Sequence, residues 1–351
     1  MVWNKLLFFL ERRDFHGYRF LLNRQGACCF RGLPVEPVDG LIPEFVTVLD
    51  PFEDAAAFAV AWFLHQNGFR TVLERDTAGW SPLCYAVIRG DVALVQGLLE
   101  RRADPNDHVT KAMGSILPGR VPVLALAAHF HHNQVMETLI AARAGIDRAD
   151  AARATPAHWA SLSNNADGLR MLCEARADPL KQNVVGMHVF HTACCNAAID
   201  SMTVMLAQNP ETSLRFGLHF AVMFHGGHEK PIQWLIHAKA DLEERFEVQK
   251  KHQPSWWVLI QMSSLRHRIS PSKWTTLAYH HSKATPLMFT ILTGNCSAAT
   301  LLLKAGARTD TKNARGKTPL DLAEPLLKGS WDLVTRVIIR VTVLTTTYNP
   351  N

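Results

Sequence analysis

The 351-residue chain has no uninterrupted run of about 18 apolar residues, the length that a membrane-spanning helix needs. Its seven cysteines include no CxxC pair, the spacing that most structural zinc sites use. Charged residues make up only 19% and hydrophobic residues 48%, a composition that excludes a mainly disordered chain. We therefore expect a folded, soluble protein without a membrane span.

The N-terminal apolar run LLFFL is also too short for a secretory signal, because it is followed at once by Glu11-Arg12-Arg13. The odd number of cysteines, with two adjacent pairs, is a poor framework for disulfides. These features predict reduced thiols and an intracellular, cytoplasmic location.

The basic residues are spread along the chain and form no long run. Lysine and arginine number 37 against 31 acidic residues, and the densest groups, Arg12-Arg13, Arg101-Arg102 and Lys250-Lys251-His252, are short. Nucleic-acid binders gather such an excess into a stripe or patch. The pattern therefore favours a solvated surface over a nucleic-acid site.

Motifs for catalysis are absent as well. The sequence contains no GxSxG, HExxH, P-loop or GxGxxG pattern, and Gly226-Gly227 lacks the strand-to-helix context of a phosphate cradle. We expect no enzyme activity, no catalytic residue and no cofactor.

What the sequence does contain is an internal repeat. Starting from Ala86, an equivalent small residue recurs at Ala127, Ala160, Ala193, Ala221, Thr290 and Ala323, with gaps of 41, 33, 33, 28, 69 and 33 residues. In the same phase stand Thr155-Pro156-Ala157-His158, Thr285-Pro286-Leu287 and Thr318-Pro319-Leu320, and an aliphatic residue follows most anchors twelve positions later. A fixed period near 33 residues indicates a repeat architecture.

On these motifs the chain resembles ankyrin-repeat proteins from Asp76 to about Arg340. The resemblance implies an all-α solenoid of about six to seven stacked helix-turn-helix units. Some units are degenerate. Val189 and Gly217 replace the proline that usually begins the first helix of a unit, and Pro325 falls inside the first helix of the last unit. The local physics agrees: Pro82 suits a helix start, Ser81 can cap it, and Val92, Val95 and Leu98 form one apolar face.

These features divide the chain into three regions. Residues 1–75 do not fit the repeat and are predicted to form an N-terminal capping region, with an amphipathic helix from Trp3 to Phe20 and an apolar helix from Asp54 to Glu74. Residues 76–340 form the repeat domain, with insertions near 107–120 and 243–283, and residues 341–351 form a C-terminal tail. The first insertion is expected to be a mobile hairpin. The second is either a decayed repeat, with its tryptophans in the core, or a loop whose tryptophans need a partner.

One cluster has the composition of a metal site. His188, His191, Cys194 and Cys195 follow an H-x-x-H-x-x-C-C pattern that would bring several ligands to one helix face. The alternative is that His191 occupies the repeat's own histidine position, where the family uses imidazole to hold turns, and that both cysteines lie in or beside the core. We favour this structural interpretation and expect no metal.

The resemblance also implies a concave binding surface made by the turns and first helices. The residues it assigns to partner binding are Trp80, Tyr85, Ile88, Arg89, His129, Phe130, Trp159, Leu162, Met223, Phe224, Trp256 and Trp257. Aromatic and arginine side chains are typical of interface hot spots.

The sequence thus predicts a non-enzymatic scaffold that binds another protein through its groove and hairpin fingers. The alternatives are a permanent structural subunit of a large assembly or, less favoured, a metal-dependent or enzymatic protein that uses the N-terminal region.

Overall fold

The computed structural model describes residues 55–111, 118–208, 214–223, 229–248 and 254–328, without the side chains of 254–256 and 325–328. The described residues fall into two compact units, 55–183 and 184–328. The predicted helix Trp3–Phe20 and the predicted tail at 341–351 lie outside them.

The first unit contains seven helices and a short hairpin: α1 (Ala55–Gln66), α2 (Pro82–Arg89), α3 (Val92–Glu100), β1 (His108–Val109), β2 (Val121–Pro122), α4 (Val123–His129), α5 (Asn133–Ala141), α6 (Pro156–Leu162) and α7 (Ala166–Glu174). The second unit contains α8 (Val189–Cys195), α9 (Ile199–Gln208), α10 (Gly217–Met223), α11 (Glu229–His237), α12 (Pro254–His267), α13 (Lys273–His280), α14 (Pro286–Thr293), α15 (Cys296–Lys304) and α16 (Pro319–Lys328).

Local signals set the helix ends. The Ser81 hydroxyl accepts a hydrogen bond from the backbone N–H of Cys84 at 3.2 Å, and Pro82 occupies the first turn of α2. The helix ends at Gly90, whose φ of 71° is in the left-handed region that glycine adopts most easily. Asp91 then caps α3 by accepting from the N–H of Leu94 at 3.0 Å. A helix of eight residues and one of nine, joined by a two-residue turn, therefore follow from the sequence.

In the first unit these pairs stack in two rows. The first helices α2, α4 and α6 pack in that order, and the second helices α1, α3, α5 and α7 form the other row. The anchors Ala86, Ala127 and Ala160 are fully buried, and their small side chains let neighbouring first helices approach closely. α1 extends the second-helix row and buries Val60 and Phe63 there.

The second unit repeats this arrangement. Its first-helix row is α8, α10, α14 and α16, and its second-helix row is α9, α11 and α15. The predicted all-α solenoid of helix-turn-helix units is thus confirmed, with six complete pairs and a seventh first helix among the described residues.

The insertion near 107–120 forms a hairpin. His108 is opposite Pro122 and Val109 opposite Val121 in an antiparallel pair, and residues 112–117 between the strands are not described.

The insertion at 243–283 is not a loop: it contains two helices, one of which covers the segment that the decayed-repeat interpretation predicted to be helical. It folds into α12 and α13, which pack on each other, while α10 packs directly against α14 as if the insertion were absent. The indole Nε1 of Trp274 donates to the Ser263 hydroxyl at 3.0 Å, and Leu259 and Ile260 are buried. Two backbone hydrogen bonds close the base of this helical hairpin: the Phe246 N–H donates to the Ala284 carbonyl oxygen at 3.0 Å, and the Lys283 N–H donates to the Phe246 carbonyl oxygen at 2.9 Å.

Candidate partner-binding surface

The ends of α2, α4 and α6 are tied together by histidines. The Nε2 atom of His132 lies 2.8 Å from the carbonyl oxygen of Ile88, and that of His131 lies 2.9 Å from the carbonyl oxygen of Ser163. Each bond joins one repeat to its neighbour at the point where the first helix ends. The backbone that carries the side chains at these helix ends is therefore fixed by hydrogen bonds between repeats.

We call the row of residues at these ends, Ile88, Arg89, His129, Phe130 and Leu162, the helix-end row. Arg89 is exposed and the other four are partly exposed. The Arg89 guanidinium lies 5.9 Å from the centre of the Phe63 ring, a cation–π distance. The structure thus brings five of the predicted binding residues to one accessible edge of the first unit.

His129 is the most enclosed member of the helix-end row. Its ring meets Phe130 edge-on at 5.2 Å and Trp159 at 5.4 Å. Burial, and then the neighbouring His131, lowers the pKa of His129 to about 4. The imidazole is therefore neutral at physiological pH.

Two tryptophans assigned to partner binding lie in the packed interior instead. Trp80 is 7% exposed and Trp159 is 4% exposed. The indole Nε1 of Trp159 donates to Asp150 Oδ2 at 3.1 Å, and burial raises the pKa of Asp150 to about 6. Their surroundings make both side chains part of the turn packing, so neither belongs to the surface proposed below.

Tyr85 is held in the equivalent way. Its hydroxyl donates to Asp76, nine residues earlier, just as Trp159 donates to Asp150 nine residues earlier. In both repeats an aspartate binds the aromatic side chain immediately before the anchor alanine. This aspartate begins the turn that precedes the first helix, which we call the finger turn (residues 76–81 and 150–155). This pair was detectable in the sequence as Asp at ten residues before the anchor.

In the second unit, Met223 and Trp257 are partly exposed. Phe224 and the side chain of Trp256 lie outside the described residues. Met223 ends α10 and Trp257 lies on α12, so the two occupy different parts of this unit.

The side chains of His188, His191, Cys194 and Cys195 make contacts that are unrelated to metal binding. His191 Nε2 lies 2.9 Å from the carbonyl oxygen of Arg215, and its ring stacks on His188 at 3.6 Å. Cys194 and Cys195 are buried, and burial raises the pKa of both thiols well above the usual value. Across the described part of the chain, no three His, Cys, Asp or Glu side chains are grouped as metal ligands would be.

Two features were missed from the sequence. Arg75 pairs with Asp107, one repeat further along, and the same carboxylate accepts from Ser81, so this trio joins the first finger turn to the next. The second feature is a line of exposed apolar residues on α12 at spacings of four and three. This line lies in an insertion and so has no counterpart in the repeat pattern.

None of the helices in the described ranges has the length and apolarity needed to cross a membrane.

Comparison with known proteins places one segment in a family. Residues 78–110 match the family model of the ankyrin repeat. No curated protein matches the chain. Among solved structures, the crystal structure of the human ASB11 ankyrin repeat domain is similar, with 19% identity, a TM-score of 0.46, and coverage of 78% of this chain and 100% of that chain. The matched segment spans a finger turn, α2, α3 and β1, which is one structural repeat.

Proposed function

We propose that this ankyrin-repeat protein is a non-enzymatic scaffold that binds a partner protein through the helix-end row of its first unit. The observation that carries the proposal is the row itself. The row lies at equivalent ends of stacked helices and consists of an exposed arginine with partly exposed aromatic and aliphatic side chains. Hydrogen bonds of His131 and His132 join these helix ends to one another.

The chemistry of the row suits protein recognition. Phe130 and Arg89 are residue types that supply large contact area or several hydrogen-bond donors, and such types dominate binding energy at interfaces. Because the supporting loops are already ordered, binding loses little conformational entropy of the backbone.

A second candidate is a permanent subunit of a larger assembly. It is favoured by large apolar side chains that stay in solvent, such as Leu180 at 66% and Leu265 at 62% exposure. Under this candidate the purified chain should aggregate at micromolar concentration and become soluble only on co-expression with its partner.

The test of the proposed function is site-specific photo-cross-linking in cells. A photoreactive phenylalanine analogue at Phe130 should capture a defined protein, and Arg89→Ala in the same chain should reduce the yield several-fold. The analogue at the exposed position Leu180 is the matched control and should not capture that protein. Equal capture from both positions, or capture insensitive to Arg89→Ala, would disprove the helix-end row as the binding surface.

A further inference from the structure

We infer that the helical hairpin α12–α13 is a second docking surface, and that its occupant is an acidic amphipathic helix of a partner protein. This surface lies in the second unit and does not depend on the helix-end row.

The first observation is an apolar stripe, defined as Val258, Met262, Leu265 and Ile269. Their exposed fractions are 44%, 62%, 62% and 88%. Three of them lie on α12 and Ile269 lies just after its end. The spacings of four and three residues keep the three members on α12 within a wedge of about 60° around the helix axis, because each residue of an α-helix advances by about 100°. Ile269 follows four residues later, just past the helix end.

The opposite face of α12 is already in use. Leu259, Ile260 and Ser263 are buried, and the Ser263 hydroxyl accepts from the indole of Trp274 on α13. The hairpin therefore has its own packed interior, and the stripe is a surplus apolar face. Spacing of four and three over ~17 Å is the seam by which one helix packs along another.

The second observation is the charge of residues 248–283, the part of the insertion that holds both helices. Residues 248–283 contain six lysine or arginine residues, namely Lys250, Lys251, Arg266, Arg268, Lys273 and Lys283, and no aspartate or glutamate. The whole chain carries a net charge of +6, so the rest of the chain is balanced between 31 basic and 31 acidic residues. The net charge of the whole chain therefore equals the charge of residues 248–283.

Arg266 and Arg268 bring that charge to the stripe. Both are exposed and lie next to Leu265 and Ile269, and neither takes part in any ion pair formed among the described residues. An apolar seam flanked by exposed arginines is complementary to a helix with an apolar face and glutamate or aspartate at its borders.

The same charge argues against a second copy of this chain. Two hairpins packed stripe to stripe would bring Arg266 and Arg268 of both copies together, and residues 254–283 contain no carboxylate that could compensate them. Like charges that face each other across an interface oppose association. The stripe also has no aromatic ring, whereas helices that lie in a membrane surface commonly carry Trp or Phe on the apolar face.

The experiment selects ligands for the full-length chain from a library of 20-residue helical peptides with unbiased charge. The expected winners are net acidic, carry apolar residues at spacings of three and four, and compete for one site. The double variant Met262→Ser/Leu265→Ser should weaken their binding at least tenfold, and Arg266→Gln/Arg268→Gln about fivefold with a flatter salt dependence.

Leu180→Ser, an exposed leucine in the other unit, is the matched control and should leave peptide affinity unchanged. Arg89→Ala should also leave it unchanged, which separates this surface from the helix-end row. Unfolding curves of each variant confirm that the fold persists.

Four outcomes would overturn the inference: winners that are neutral or basic, no enriched peptide, no loss on substitution of the stripe, or concentration-dependent dimerisation of the chain. Two further probes complete the test, vesicles containing phosphatidylserine and a 20-base-pair DNA duplex. Tighter, stripe-dependent binding to either would assign the hairpin to a membrane surface or to nucleic acid instead.

Discussion

At the scale of single residues, buried histidines hold successive repeats of the second unit together. His191 bonds to the carbonyl oxygen of Arg215, and His219 Nε2 lies 3.1 Å from the carbonyl oxygen of Ala284. His219 is fully buried, and its contact spans 65 residues of sequence. Both histidines were recognisable from their repeat phase, but the partner of His219 was not, because the helical hairpin separates the two in the chain.

His219 makes stability depend on pH. Burial lowers the pKa of this imidazole from 6.5 to about 3, so the folded state binds a proton less readily than the unfolded state. The stabilisation is complete above pH 6.5 and is lost as the pH falls toward 3. Between pH 7 and pH 5 we expect this group to remove ~2 kcal/mol from the free energy of unfolding.

The measurement is urea unfolding at the two pH values. His219→Gln should be less stable at pH 7 by about 1–3 kcal/mol, because a buried bond is disturbed, and should lose less stability on acidification. His129 and His280 act in the same direction and Asp150 in the opposite one, so some dependence remains. The exposed control His237→Gln should follow the unsubstituted chain; an unchanged slope in His219→Gln would contradict the assignment.

At the scale of elements, short helices depend on their caps. Ser272 begins α13 and forms a reciprocal pair with Thr275: its hydroxyl accepts from the Thr275 N–H at 3.2 Å, and the Thr275 hydroxyl accepts from the Ser272 N–H at 2.7 Å. Ser81-Pro82 and Thr155-Pro156 are recognisable as helix starts from the repeat phase, but Ser272 lies outside that phase.

Removing this cap should loosen the helical hairpin. Ser272→Ala is expected to cost ~1 kcal/mol, the usual value of an N-cap. Limited proteolysis between α12 and α13 should accelerate several-fold, while cleavage within the first unit keeps its rate. Ser270→Ala, two residues earlier and exposed, is the matched control. Equal proteolysis of both variants would show that the cap does not hold the hairpin.

At the scale of the whole molecule, stability is a sum over neighbouring repeats. The helical hairpin is not one of the stacked repeats, since α10 packs directly on α14 and backbone hydrogen bonds close the base of the hairpin at Phe246 and Ala284. It still contributes contacts, because α13 packs on α14 and the Arg315 guanidinium lies 3.4 Å from the centre of the Tyr279 ring.

Replacing residues 248–282 with Gly-Ser should therefore leave a folded protein. We expect a single cooperative unfolding transition with a lowered midpoint, measured by circular dichroism during urea titration. Deleting residues 217–237, which form a true repeat, is the comparison and should unfold the second unit, since α8 and α14 would lose their shared neighbour. Collapse of the first variant would mean that the hairpin is part of the stack.

The sequence alone determined the repeat and its local geometry. Prolines at helix starts, serine and aspartate caps, and apolar residues at helical spacing act within a few residues, and a period near 33 predicts that such units stack. Tertiary structure alone decided which side chains reach the surface. Trp159 is buried with its ring against His129 of the preceding repeat, and the stripe of α12 is exposed because α12 packs on α13 through its opposite face. Both outcomes depend on packing between different helices, for which spacing within one repeat carries no information.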